Sequence, residues 1–410
     1  MIENQIDIKN NLTLMSKDLG SAKSKFSLEN FPSSKNESWK YSDLAAQLKD
    51  FDFNYRGEQN DDLNFDPTHR FGSFDAFIVV EDGIFNPTKS VINNESIEFD
   101  YLNTDQLNDS FQLLNADFDS VTAFNTIHLN SGLFIRLKSN IKTNHPVIIY
   151  HLHSGKLSHC HSRIHIQAES FSSCKIVEIQ ENDSNYFLTN IITGNLEDNS
   201  FINYTLIQNQ GNKSRTVNYH YFNLNANVNI ETNTFGLSGK FIRNNLSFRF
   251  GKSHSEAHLN GLYIPTNNDH IDNQTFVDHK MPHCNSNETY RGIIADEATG
   301  VFNGKILVEI DAQKTNAYQS NKNVLLSANG HVFTKPQLEI FADDVKCSHG
   351  ATIGQLDNNA LFYLRARGIP LISARKLLLN AFASDVLNKC SDEEVKNIVF
   401  PFLDSKLNNI

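Results

Sequence analysis

Tryptophan occurs once in 410 residues, methionine three times, cysteine five times and proline nine times. The five cysteines, Cys160, Cys174, Cys284, Cys347 and Cys390, are odd in number, sparse and never spaced as CxxC. A disulfide framework is therefore not the basis of the fold, and reduced thiols are expected. Positive charge is in deficit, with 36 Lys plus Arg against 47 Asp plus Glu and a net charge of −11. That balance argues against sequence-independent nucleic-acid binding and against docking on anionic lipid, both of which need a basic surface. No run reaches the ~18 apolar residues of a membrane span. The start, Met1-Ile-Glu-Asn-Gln, has no basic stretch followed by an apolar one, so no signal peptide is read there and a cytoplasmic setting is expected. Nucleotide-binding motifs are also missing. Gly300-Val-Phe-Asn-Gly304-Lys305-Ile306 has three residues between its glycines, not four, and no Ser or Thr after the lysine to hold magnesium. A turn between strands is the better reading.

What is present is alternation. The length suggests two or three domains. Residues 1–110 are of mixed texture, with loop signals at Asn30-Phe-Pro-Ser-Ser and across 54–67. Asp75-Ala-Phe-Ile-Val-Val-Glu-Asp-Gly reads as a short buried strand ending in a turn. Residues 111–355 read as strands almost throughout from about position 120. Ile164, Ile166 and Ala168 alternate with His165 and Gln167, Val177 and Ile179 with Glu178 and Gln180, and Ile306, Val308 and Ile310 with Leu307 and Glu309. Period two puts one face in and one face out. Turn formers recur at Asn182-Asp183, Glu197-Asp-Asn199, Gly211-Asn212, Asn225, Gly236, Gly251-Lys252 and Asn267-Asn268. A large sandwich and a β-solenoid both fit this spacing. The length of the run and its Asn, Ser and Thr content favour the solenoid.

The period changes in residues 356–410. Leu371, Ala374, Leu378, Ala381 and Phe382 follow helical spacing, Pro370 suits a first turn, and Ser391-Asp-Glu-Glu394 resembles a capping box. Two to three helices are expected. So small a piece must pack on the β region or on a partner.

Three segments concentrate metal-ligand residue types. His151, His153, His159, Cys160, His161 and His165 form one; within a strand, His151 pairs with His153 and His159 with His161. The second runs from His270 through Asp272, Asp278, His279 and His283 to Cys284. For both, internally bonded polar strand faces are the preferred reading over a ligand set. The third is sharper. In Lys346-Cys-Ser-His-Gly, an extended chain places Cys347 and His349 on one face, ~6.5–7 Å apart by strand rise, and Lys346 and Ser348 on the other. A thiol beside an imidazole makes a nucleophile–base pair or half of a soft-metal site. Two ligands do not close a tetrahedral site, so the rest must come from distant chain or from a second protein.

These residues sit among denser motifs. They include His258-Leu-Asn-Gly-Leu-Tyr, His270-Ile-Asp-Asn-Gln-Thr, Tyr290-Arg-Gly-Ile, Gln313-Lys-Thr-Asn, Thr334-Lys-Pro-Gln-Leu-Glu-Ile, Ala342-Asp-Asp-Val-Lys-Cys-Ser-His-Gly-Ala-Thr and Leu361-Phe-Tyr-Leu-Arg-Ala-Arg-Gly-Ile, with an N-terminal echo at Glu37-Ser-Trp39-Lys-Tyr41. In that order the chain resembles the SufB/SufD family of iron–sulfur cluster assembly proteins, most densely from His254 to Val386. Lys346-Cys-Ser-His-Gly-Ala-Thr and Lys335-Pro-Gln-Leu-Glu favour the SufD side of the family over the SufB side, as does the absence of a longer cysteine-bearing N-terminal part.

The resemblance implies a mainly β protein: a right-handed parallel β-helix core with an N-terminal mixed region and a C-terminal helical domain. It implies a non-catalytic scaffold subunit in a complex with SufB and the ATPase SufC, which supplies the nucleotide site. A homodimer of the isolated chain is compatible. A transient iron–sulfur cluster or iron would be shared with SufB, with His349 as ligand and Cys347 beside it. ATP would close the SufC pair, pull on the helical appendages and rearrange that interface. Leu361, Phe362 and Leu378 are candidate SufC contacts, with internal packing as the plainer reading for each. The rival readings are a SufB-like cluster scaffold and a solenoid enzyme acting on polysaccharide.

Overall fold

The computed structural model describes residues 31–54, 65–114 and 119–410. The first thirty residues and most of the expected 54–67 loop lie outside them. Two edge pairs open the β architecture: β1 (Ala76–Glu81) with β2 (Ile84–Ile92), and β3 (Ile97–Tyr101) with β4 (Leu133–Leu137), each antiparallel. The expected buried strand at Asp75 is thus β1, and its turn is Asp82-Gly83. From there the strands run in parallel. They are β5 (Val147–Leu152), β6 (His159–Ala168), β7 (Ser173–Gln180), β8 (Phe187–Leu196), β9 (Phe201–Asn209), β10 (Arg215–Leu224), β11 (Asn229–Ser238) and β12 (Phe241–Phe250). They continue through β13 (Glu256–Tyr263), β14 (His270–His279), β15 (Asn285–Ile294), β16 (Thr299–Val308), β17 (Asn316–Leu325), β18 (His331–Ile340) and β19 (Lys346–Gly354). From β5 on, odd strands stack in one sheet and even strands in the other, giving a β-solenoid of about eight turns. Asn285 pairs with Asn316 and Asn316 with Lys346, so one turn consumes about 30 residues.

Between the sheets lies an interior in which stacked side chains repeat. Ile164, Ile176, Ile230, Phe248 and Ile306 belong to one continuous apolar core. Beside it runs an amide ladder: Asn190 donates to Asn218 (3.1 Å), Asn218 to Asn244 (2.9 Å) and Asn244 to Asn273 (3.1 Å). In-register stacking lets each amide satisfy the next, which removes most of the ~1–3 kcal/mol cost of an orphaned buried polar group. This is where much of the asparagine goes. Gly236, expected as a turn residue, lies inside β11 instead, where a Cβ would meet Ile271 Cγ2 at 3.1 Å. The turn falls three residues later at Gly239-Lys240.

A parallel sheet is buried on both faces, so the outer faces need covers. The even sheet is covered by the N-terminal part. Phe31, Trp39, Leu44, Val121 and Phe124 pack on Phe187, Ile191, Val217 and Phe241. Helices α1 (Leu44–Leu48), α2 (Pro67–Phe71), α3 (Thr104–Leu114) and α4 (Ser120–His128) belong to this part of the chain, although Phe71 of α2 packs on Phe77 and Tyr150 of the odd sheet. The stretch from 120 was expected as strand. Asp119 caps it as a helix instead, in a capping box with Thr122. The odd sheet is covered by the end of the chain: α5 (Asn358–Ala366), α6 (Leu371–Leu387) and α7 (Glu393–Asn408). Leu379, Ala383, Val386, Val395 and Val399 cover Ile207, Phe235, Leu262 and Ile293.

The expected helical face was misphased. Ala374, Leu379, Ala383 and Val386 are the buried positions of α6, whereas Leu371 and Ala381 are exposed. A helix lying between a sheet and another helix buries a face that one apolar stripe does not define. The cap of α7 is also one residue later than expected: Asp392 accepts from the amides of Glu394 and Val395, while the Ser391 amide donates to Glu231.

Candidate functional site

The solenoid ends at β18 and β19. Each pairs on one side only among the described strands, β18 with β16 and β19 with β17. Their outer edges offer unpaired backbone donors and acceptors, the ordinary requirement for adding another chain's strand. Phe333, Ile340, Phe341 and Ile353 are exposed there. Cys347 and His349 both lie on β19, as alternate residues of one face. Cys347 sits beside Ala317 and packs against the interior, half-buried; His349 sits beside Gln319 and is exposed. Lys346 and Ser348, on the other face, are exposed too. Burial pushes the Cys347 thiol up, opposed by a backbone hydrogen bond at Ala317, so thiolate formation here needs a metal or a cation. Asp344 contacts Lys314, and its amide donates to Gln313 Oε1 at 2.9 Å.

The register reveals what sequence reading missed. Gln319 lies beneath His349, and Glu288 lies beneath Gln319. Glu288 is fully buried. Its Oε2 accepts from Thr275 (2.6 Å) and Gln319 (3.2 Å). Its Oε1 and the Oε1 of Gln319 have no hydrogen-bond partner among the described residues. Burial raises the carboxyl to about 7, against the opposing hydrogen bonds from Thr275 and Gln319. A carboxyl that exchanges its proton near neutrality thus lies two strand spacings, ~10 Å, below the exposed imidazole. No spacing rule connects positions 288, 319 and 349; only the turn length does.

The other ligand-rich segments are mostly spent on internal hydrogen bonds, and among the described residues only His153 and Cys160 turn together, toward Asp82. His151 turns into the solenoid and bonds Glu178 at 2.7 Å, whereas His153 lies beyond β5. His159 and His161 do meet, at 2.8 Å, and His161 also bonds Thr189 at 2.7 Å. In the second segment, Ser42 bonds both His270 (2.8 Å) and Asp272 (2.5 Å), and Arg243 bridges Asp272 while lying 3.8 Å from the Trp39 ring centroid. His279 bonds Ser286 at 2.9 Å, and Cys284 is buried in the core. The motifs around Trp39 and His270 therefore fasten the N-terminal cover to the even sheet.

On the helical layer, Phe362 is 74 % exposed and Leu361 and Leu378 are half-buried. Leu361 lines a cavity of about 710 Å³ between the helices and the solenoid, with Leu325, Leu356, Ile372 and Arg375. Ile372 and Phe400 are exposed as well. No helix among the described residues is long and apolar enough to cross a membrane.

The fold and site define a β-solenoid protein with a thiol and an imidazole displayed on an end strand whose outer edge has no partner among the described strands, and an apolar helical surface nearby. Residues 151–382, more than half of the chain, match the family model for the SufBD core domain of SUF-system FeS cluster assembly. The chain belongs to this family, and its role lies in SUF-system iron–sulfur cluster assembly. It is 29% identical over 392 residues to the iron–sulfur cluster assembly protein SufD of Escherichia coli, covering 92% of this chain and 89% of that protein. It is 40% identical over 153 residues to a SufBD family protein of Synechocystis, covering 37% of this chain and 34% of that one. A chloroplastic Arabidopsis thaliana protein, ABCI7, is 26% identical over 309 residues, 72% of this chain and 65% of the relative. Family membership sets aside the polysaccharide reading.

Proposed function

We propose that this chain is the SufD-type scaffold subunit of a cytoplasmic SUF complex, pairing through β18 and β19 with a SufB-type solenoid. The observation that carries this reading is the display of Cys347 and His349 on an end strand whose outer edge is unpaired among the described strands. A second subunit adding its strand there brings its own ligands to the same spot. Iron or a nascent cluster is the cargo, held by His349, with Cys347 beside it, and by groups of the partner. A half-site suits this task because a cluster must leave again, and separating two subunits removes half its ligands at once. His349 ligates through a neutral imidazole. The chain itself performs no turnover. Before assembly, the same open edge permits pairing of two copies of this chain.

The helical layer of residues 356–410 receives the ATPase SufC, through Phe362 and the apolar residues around it. Leu361 and Leu378 contribute from half-buried positions. Closure of two ATPase subunits then moves this layer relative to the solenoid, and the cavity beside Leu361 gives it room.

The test is co-purification with SufB and SufC followed by anaerobic reconstitution. His349→Ala is expected to leave the complex intact and to lower cluster-derived absorption several-fold. Normal cluster yield in that variant would remove His349 from the mechanism.

A further inference from the structure

At the far end of the solenoid a second group of ligands converges. Asp82 occupies the turn after β1 with φ of 49°. His153 follows β5, and Cys160 is the second residue of β6. Their donor atoms all lie within 4.8 Å of one another. Cys160 Sγ is 3.8 Å and His153 Nδ1 is 4.0 Å from the same oxygen, Asp82 Oδ1. Ligands at ~2.0–2.3 Å from a tetrahedral cation stand ~3.3–3.7 Å apart, so closing the set takes an approach of at most ~1.5 Å between any pair. Histidine, thiolate and carboxylate are the donors of a borderline-soft divalent cation, of which zinc is the type.

The surroundings fit that use. Ser154 fixes the carboxylate through both its amide (2.9 Å to Oδ1) and its hydroxyl, the orienting contacts that metal-bound carboxylates require. The Gly155 amide donates to His153 Nδ1 at 2.8 Å, so the imidazole is neutral with its lone pair on Nδ1, and ligation through Nδ1 exchanges that hydrogen bond for the metal bond. His153 Nε2, which then carries the ring proton, is buried with no hydrogen-bond partner among the described residues. Cys160 packs with Tyr186 and Leu188 in a small apolar cluster, which keeps bulk water off the thiol.

We propose that Asp82, His153 and Cys160 form a three-ligand site for a zinc-class divalent cation, with the fourth position open to water. Binding replaces the S–H bond of Cys160 with an S–metal bond and releases one proton to solvent, with no change of oxidation state. Because Asp82 belongs to the β1–β2 turn and the other two to the first solenoid turn, the cation staples the antiparallel edge pair to the stack. The site is independent of the cluster reading. β1 and β19 stand eight strand spacings apart in their sheet, roughly 38 Å at ~4.8 Å each.

The experiment is anaerobic titration of the metal-stripped full chain with Co2+ alone, read by absorption. Wild type is expected to develop thiolate-to-cobalt charge transfer saturating at one equivalent, with displacement by Zn2+ and a rise in Tm. A Cys347→Ser/His349→Ala double variant is expected to do the same. Cys160→Ser should abolish the charge transfer, and His153→Gln should weaken binding roughly 100-fold or more, as a lost ligand exceeds the 10–100-fold cost of a lost orienting contact. Asp82→Asn keeps an acceptor for Ser154 and provides the comparison should Cys160→Ser fail to match wild-type circular dichroism; it is expected to weaken binding likewise. Absence of charge transfer in wild type, its survival in Cys160→Ser, full-affinity binding in a folded Asp82→Asn chain, or its loss in the Cys347→Ser/His349→Ala chain would each overturn the assignment.

Discussion

Replacing Glu288 with glutamine tests whether the column beneath His349 is what the structure makes it. Unfolded, this carboxyl titrates at its ordinary 4.5; folded, burial raises it to about 7. Between those values the folded chain keeps a proton that the unfolded chain has released. Its contribution is thus fully present below 4.5, falls as pH rises, and is lost above about 7. The difference corresponds to about 3 kcal/mol at ~1.36 kcal/mol per pH unit. Glu288→Gln cannot ionise, and its amide can donate to the unpartnered Oε1 of Gln319. Urea unfolding of both proteins at a series of pH values from about 5 to 8 isolates the effect, because every other titrating group cancels in the difference. The variant should gain on wild type steadily across the window, by about 2–3 kcal/mol in total. Parallel curves would refute the reasoning, since they would mean that Glu288 ionises alike in both states and is not desolvated.

The helical layer gives a paired prediction. Phe362→Ser, at an exposed position, should leave stability within ~0.5 kcal/mol of wild type while lowering SufC affinity about tenfold or more, measured by calorimetry. Leu379→Ala, buried against the odd sheet, should instead cost ~2–5 kcal/mol in chemical denaturation. Inside the solenoid, a Cβ at Gly261 would stand 2.1 Å from Tyr290 Cε1. Gly261→Ala should therefore cost ~1–3 kcal/mol and lower the Tm, and an unchanged Tm would show that the stack relaxes more freely than its packing indicates.

Period-two alternation and recurrent turn formers were enough to read strands and to favour stacking, because a strand exposes its pattern locally. They did not say which face was inward. At β7 the apolar Val177 and Ile179 join the outer cluster beneath the covers, while Glu178 bonds His151 and Tyr204 inside the solenoid. Polar residues tolerate that interior only because identical turns place partners in register, and register is not a local property. The helix at Ser120–His128 was missed although Asp119 and Thr122 carried its capping signal. Surrounding strand texture outweighed four residues of capping chemistry.

The sequence by itself determined that Cys347 and His349 share a face, since side chains on a strand alternate whatever surrounds them. It also determined that two such ligands are too few for a closed metal site. The tertiary structure alone decided that their strand ends the stack with an open edge, that Glu288 lies two turns beneath His349, and that Asp82 meets Cys160 across 78 positions of chain. Those juxtapositions depend on how many residues each turn spends before coming back into register. That length is set by the packing of the whole stack, and no short window of sequence contains it.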